Sequence, residues 1–108
     1  MKKRNIILIG MPGAGKSSVG VILAKALGYE FIDTDLVIQH REKRLLREII
    51  ADEGNEGFLA IENEVNATLE ADESVIAPGG SAIYGKEAME HFKEIGTIVY
   101  LKLSYEDL

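Results

Sequence analysis

Residues 10–17 read Gly-Met-Pro-Gly-Ala-Gly-Lys-Ser, which satisfies the pattern G-x-x-x-x-G-K-[ST] at every fixed position. The loop lies between an apolar run at residues 5–9 and a segment where Val19, Ile22, Leu23, Ala26 and Leu27 recur at helical spacing. A strand, a glycine-rich turn and a helix in that order leave few folds open. The run has no polar alternation, so the strand is buried on both faces, and the helix must pack back over the sheet. Glycines let successive backbone N–H groups curl toward one point. The helix adds its own unsatisfied N–H groups and positive dipole end there. Such a cradle takes phosphate oxygens. Gly10, Met11, Pro12, Gly13, Ala14, Gly15, Lys16, Ser17 and Ser18 are therefore the candidate contacts for a nucleoside triphosphate, with Met11 and Pro12 shaping the loop. Lys16 supplies a full charge to the β- and γ-phosphates, and the Ser17 hydroxyl is a candidate ligand for Mg²⁺. GTPases, ATPases and small-molecule kinases share this loop. A guanine-recognising Asn-Lys-x-Asp stretch does not occur in the chain, which makes the GTPase reading the weakest of the three.

The helical pattern stops at Gly28, where a C-cap glycine belongs. Residues 29–33 predict a second strand. Residues 36–38, then Leu45, Leu46, Ile49 and Ile50, predict helical segments broken by Gly54 and Gly57. Phe58, Ile61, Val65 and Leu69 predict another helix face. Residues 74–77 predict a third strand stopped by Pro78, Gly79 and Gly80. A helix follows at residues 86–93, Gly96 ends it, and residues 97–103 predict a fourth strand. Strands separated by helices require crossovers. The expected fold is α/β, a doubly wound parallel sheet of the P-loop kinase type with helices on both faces, in one domain spanning residues 1–108.

The chain has 108 residues, 46% apolar and 28% charged, which suits one globular domain. Twelve Lys and Arg stand against 18 Asp and Glu, a net charge of −6 that opposes a nucleic-acid partner. With no cysteine, disulfides, thiolate metal sites and cysteine nucleophiles are excluded. Lys2, Lys3 and Arg4 precede an apolar run at residues 6–9, shorter than the roughly 7–15 residues of a secretory core. No apolar stretch approaches the roughly 20 residues that span a bilayer. The expectation is a cytoplasmic protein acting on a small molecule, without nucleic-acid or membrane partners, and monomeric at full length.

Asp33 and Asp35 fall two apart at the end of the second predicted strand, a spacing that points both side chains the same way. Ligands of open α/β sheets bind beyond the carboxyl ends of the strands. One carboxylate near a metal and one near a hydroxyl nucleophile are what phosphoryl transfer from MgATP requires. The plainer alternative has Asp35 N-capping a helix that starts at Leu36. Gly79 and Gly80 likewise have two readings, close approach of backbone to ligand or an ordinary turn.

The series GMPGAGKSSVG, FIDTD, a helix opening with GF and carrying a glutamate, and a strand ending in Gly-Gly resembles the shikimate kinase family over essentially the whole chain. The resemblance implies ATP-dependent phosphorylation of shikimate to 3-phosphoshikimate, a step of aromatic amino acid biosynthesis, with ATP and Mg²⁺ as cofactors. It places residues 10–17 on ATP, Lys16 on its phosphates, and Ser17 and Asp33 on the metal side, Asp33 through water. It makes Asp35 the catalytic residue that binds ring hydroxyls and orients or deprotonates the attacking one. Gly79 and Gly80 would offer backbone N–H groups to the substrate. The sequence departs from the family twice. The family carries Phe-Arg-x-x-Glu, its arginine gripping the substrate carboxylate, and here Leu59 stands in that place between Phe58 and Glu62. The chain also ends at Leu108, where the family continues through an arginine-bearing lid, a fifth strand and a last helix, so the C-terminal part of the fold is expected to lie outside this sequence.

These departures keep two other readings open. One is a kinase for a different small polyhydroxylated acceptor, the other a nucleotide-binding module without catalysis. Arg41, Lys43, Arg44 and Arg47 form a basic cluster, expected as a solvated helix face, with Arg44 or Arg47 as an alternative grip on an anionic substrate. His40 and His91 lack metal-ligand spacing and are expected on the surface.

Overall fold

The structure, a computed structural model, describes residues 4–10 and 16–101, with side chains of the first helix described from Ser18 onward. The elements run β1 (Asn5–Gly10), α1 (Lys16–Leu27), β2 (Glu30–Asp33), α2 (Thr34–Glu42), α3 (Leu46–Ala67), β3 (Ser74–Ala77), a 3₁₀ turn (Ala82–Tyr84), α4 (Lys86–Ile95) and β4 (Gly96–Leu101). The four strands form one parallel sheet in the order β2-β3-β1-β4. β1 pairs with β3 on one side and β4 on the other, and its side chains are apolar without alternation because helices cover both faces.

Alternation along the strands splits the core in two. Ile7, Ile9 and Ile76 pack with Phe92 and Ile95 of α4 on one face, and Leu8 and Val75 pack with Ala24 of α1 on the other. Ile38 of α2 forms a third cluster with Ile49 and Val65 of α3. The doubly wound arrangement is thus as expected. Asn5, buried at the start of β1, donates through Nδ2 to the carbonyls of Ala71 and Ile95, each at 2.9 Å, and accepts the Ser74 N–H at 3.1 Å.

Several elements differ from expectation. α1 does not bury the stripe its periodicity suggests. Gly20, Leu23 and Ala24 face the sheet, whereas Ile22 is 69% exposed, and Val19 and Leu27 are also exposed. The cause is Gly20: a Cβ there would stand 2.5 Å from the Phe31 ring, so this helix lies close on its smallest residues. The helical segments on either side of Gly54 are one element, α3, kinked where Gly54 takes φ 74°, while Gly57 is accommodated as helix. β2 starts one residue later than predicted, and residues 102–103 of the predicted fourth strand lie outside the described residues. His91 is half-buried instead of solvated, with Nε2 2.7 Å from the Leu69 carbonyl oxygen.

Candidate functional site

β1 ends at Gly10 and α1 begins at Lys16, so the glycine-rich loop spans the carboxyl end of a central strand and a helix N-terminus. Met11, Pro12, Gly13, Ala14 and Gly15 lie outside the described residues, as do the side chains of Lys16 and Ser17; Ser18 is exposed on the first turn of α1. Gly10 itself tolerates no side chain, because a Cβ would stand 2.6 Å from the Leu101 carbonyl oxygen of β4.

The two aspartates do not lie side by side on a strand. Asp33 ends β2, opposite Ala77 of β3, with φ −96° and ψ 111°, and its Oδ1 accepts the Asp35 N–H at 2.9 Å. Asp33 is therefore the N-cap of α2, and Asp35 sits inside the first turn. This replaces both sequence expectations, the shared strand face and Asp35 as the cap. The reason is local: a carboxylate that reaches the N–H two residues on lets the helix start earlier, at Thr34.

The cap turns Asp35 toward the end of β3. A Cβ built on Gly79 would lie 2.9 Å from Asp35 Oδ1 and 3.0 Å from Glu62 Oε2, so two carboxylates converge on the Gly79 backbone. Glu62, on the buried face of α3, is 2% exposed, and its Oε1 accepts the Ser81 hydroxyl at 2.7 Å. Two helices and one loop thus meet here: Asp35 from α2, Glu62 from α3, and Gly79, Gly80 and Ser81 beyond β3. Gly79 lies close to two carboxylates, and the Ala82 N–H donates to its carbonyl at 3.1 Å, so the segment is a turn set against charged groups. Sequence reasoning named Glu62 only through the family pattern and missed Ser81. The available signal was a glutamate three residues before Val65 on a buried helix face, with a hydroxyl directly after Gly-Gly.

Beyond Ser81 lies a cavity of about 290 Å³ whose lining includes Leu59, Glu62, Tyr84 and Lys86. Leu59 is 38% exposed and brings no charge to it. On the same side, Asn63 of α3 docks onto the start of α4. Its Oδ1 accepts the Ala88 N–H at 3.0 Å and its Nδ2 donates to Glu87 Oε2 at 2.9 Å. That donation, followed by one from the backbone of Glu87, holds the Glu87 carboxyl below its ordinary value of 4.5.

Two arginines of the basic cluster are paired with acidic side chains. Arg44 contacts Asp52 at 3.1 Å and Glu42 at 3.0 Å, and hydrogen bonds to Asp52 first and Glu42 second raise its guanidinium further above its usual value. Arg41 pairs with Glu64 at 2.6 Å. Arg44 therefore ties the α2–α3 corner together, whereas Arg47 is exposed. Among the described residues no group of three or more His, Asp or Glu side chains suits a metal ion. Mg²⁺ does not need such a group, since it takes one or two protein oxygens and completes its shell with water and phosphate. The Asp33 carboxylate, whose Oδ1 accepts the Asp35 N–H, is an oxygen donor of that kind. No helix among the described residues is long and apolar enough to cross a membrane.

The family model for shikimate kinase matches residues 12–108. The curated shikimate kinase 2 of Yersinia enterocolitica is 39% identical over 101 residues, covering 94% of this chain and 58% of that protein. Among solved structures, shikimate kinase from Acinetobacter baumannii in complex with shikimate superposes with a TM-score of 0.88 at 38% identity, over 96% of this chain and 59% of that one. Shikimate kinase from Aquifex aeolicus gives 0.83 at 35% identity, over 94% and 65%. The chain spans a little under three-fifths of the length of the curated relatives it matches. The loop at a central strand's end, the capped aspartate facing Gly79 and these matches lead to one conclusion: the chain belongs to the shikimate kinase family.

Proposed function

We propose that the protein transfers the γ-phosphoryl group of ATP to a ring hydroxyl of shikimate, giving ADP and 3-phosphoshikimate in the cytoplasm. The observation that carries this reading is the turn of Asp35 onto the Gly79 backbone, at the sheet edge where β1 delivers the glycine-rich loop. Residues 10–18 hold the triphosphate, and Lys16 offsets its charge. Ser17 and Asp33 are the residues that would hold Mg²⁺, which neutralises negative charge on the phosphate oxygens when bound. The Asp35 carboxylate accepts a hydrogen bond from the attacking hydroxyl, aligns its oxygen with the γ-phosphorus and takes its proton as the new P–O bond forms. The bond to the ADP oxygen breaks, and its electron pair leaves with ADP. The N–H groups of Gly79 and Gly80 orient the ring. The A. baumannii relative was solved with shikimate, which supports the choice of acceptor.

Leu59 favours a second reading, a different polyhydroxylated acceptor, because it sets an apolar side chain where a carboxylate would need a cation. ADP release measured with shikimate and with a panel of neutral polyols separates the two. Lys16→Ala should weaken ATP binding by one charge-assisted contact, about 1.5–3 kcal/mol or roughly 10- to 150-fold at about 1.4 kcal/mol per decade, as read by calorimetry. Nucleotide binding without turnover on any acceptor would instead identify a non-catalytic module. Absence of heat with ATP or ADP at millimolar concentration would remove the nucleotide reading altogether.

A further inference from the structure

We infer that Ser81 is a positioning residue of the acceptor site, acting through Glu62 to fix the Gly79-Gly80 backbone. Adjacent glycines carry the largest conformational freedom a chain can have, so the direction of their N–H groups is not set locally. Here one buried carboxylate meets the loop twice. Glu62 Oε1 accepts the Ser81 hydroxyl at 2.7 Å, and Oε2 comes within 3.0 Å of where a Gly79 Cβ would be. The Ala82 N–H closes the turn by donating to the Gly79 carbonyl at 3.1 Å. Glu62 is anchored on α3 between residues that pack inward, and Val65 and Asn66 beside it are buried. The Ser81 hydroxyl therefore sets which way the carboxylate faces and ties the flexible pair to a rigid helix. An alanine at this position keeps the backbone but removes the tie.

The test is carried out in the intact enzyme with Ser81→Ala and Ser81→Thr. The kinetic arm rests on the phosphotransfer reading. Ser81→Ala should raise KM for shikimate about tenfold, the effect of losing one hydrogen bond to a charged group. The same variant should leave kcat within about threefold and KM for ATP unchanged, and Ser81→Thr, which keeps the donor, should restore most of the loss. The structural arm does not depend on activity: amide exchange at Ala82 should accelerate by a similar factor in Ser81→Ala and recover in Ser81→Thr. If Ser81→Ala does not fold, Ser81→Cys replaces it as a weak donor of similar size, with the same direction expected. Unchanged Ala82 exchange overturns the inference, as does equal weakening of ATP and shikimate or a shikimate KM equal to the parent's. An enzyme inactive on every acceptor overturns the phosphotransfer reading instead, and Ala82 exchange then decides for Ser81.

Discussion

Leu59 is the residue at which the chemistry of the acceptor is most exposed to test. A carboxylate set beside it without a cation would lose about 3–5 kcal/mol relative to a paired one, or roughly two to three and a half decades in affinity. Leu59→Arg should lower KM for shikimate at least tenfold. A parent enzyme with a micromolar KM that the arginine does not improve would refute the argument from Leu59. Other single residues show how far side chains can be read from sequence. The loop motif was legible as a sequence pattern, although residues 11–15 lie outside the described residues, whereas the spacing of two misled for the aspartates, since Asp35 lies in α2 and not on the strand. The local geometry, with Asp33 capping α2 and Asp35 in its first turn, was not legible, because a hydrogen bond of 2.9 Å within the pair decided it. The Glu62–Ser81 contact joins residues from two elements and leaves no periodic trace.

The elements themselves were largely legible, and the misses have a common cause. Periodicity identified α1 as a helix but chose its larger side chains as the packing face, whereas close approach at Gly20 selected the smaller ones. α3 was divided at Gly54 because glycine's freedom reads as a break, although here it makes a kink. The docking of α3 on α4 belongs to the same scale and has a definite pH signature. Donation from Asn63 depresses the Glu87 carboxyl in the folded protein. A depressed carboxylate contributes stability that is present above its unfolded value, near 4.5, and is lost as pH falls through the lower folded value. Thermal melts across a pH series should therefore show a lower midpoint as pH falls below about 4.5. Asn63→Ala should lower the midpoint at neutral pH, since it also takes the acceptor from the Ala88 N–H, and should flatten this part of the acid dependence.

At the scale of the whole molecule, apolar surface remains open on two elements of the described fold. α1 exposes Val19, Ile22 and Leu27, and β4 exposes Val99 and Tyr100, the latter at 67%. β4 is also an edge, paired through β1 alone in the four-stranded sheet. Open edges and contiguous apolar patches invite pairing. Residues 1–108 expressed alone should bind a hydrophobic dye and sediment as more than a monomer; a monodisperse monomer with a cooperative melt and no dye binding would contradict this. Parallel order and the layering of helices were legible because strand, helix and strand recur in turn, but the insertion of β3 between β1 and β2 is set by long-range pairing that composition does not encode. The anchoring of Asn5 has a mechanical consequence. Its amide grips the chain at Ala71, Ser74 and Ile95, at the end of β1 remote from the glycine-rich loop. A slip of one residue along the sheet would strand those three bonds in a dry interior. The strand therefore behaves as a beam clamped at the end away from Gly10, held against axial travel by three bonds from one side chain.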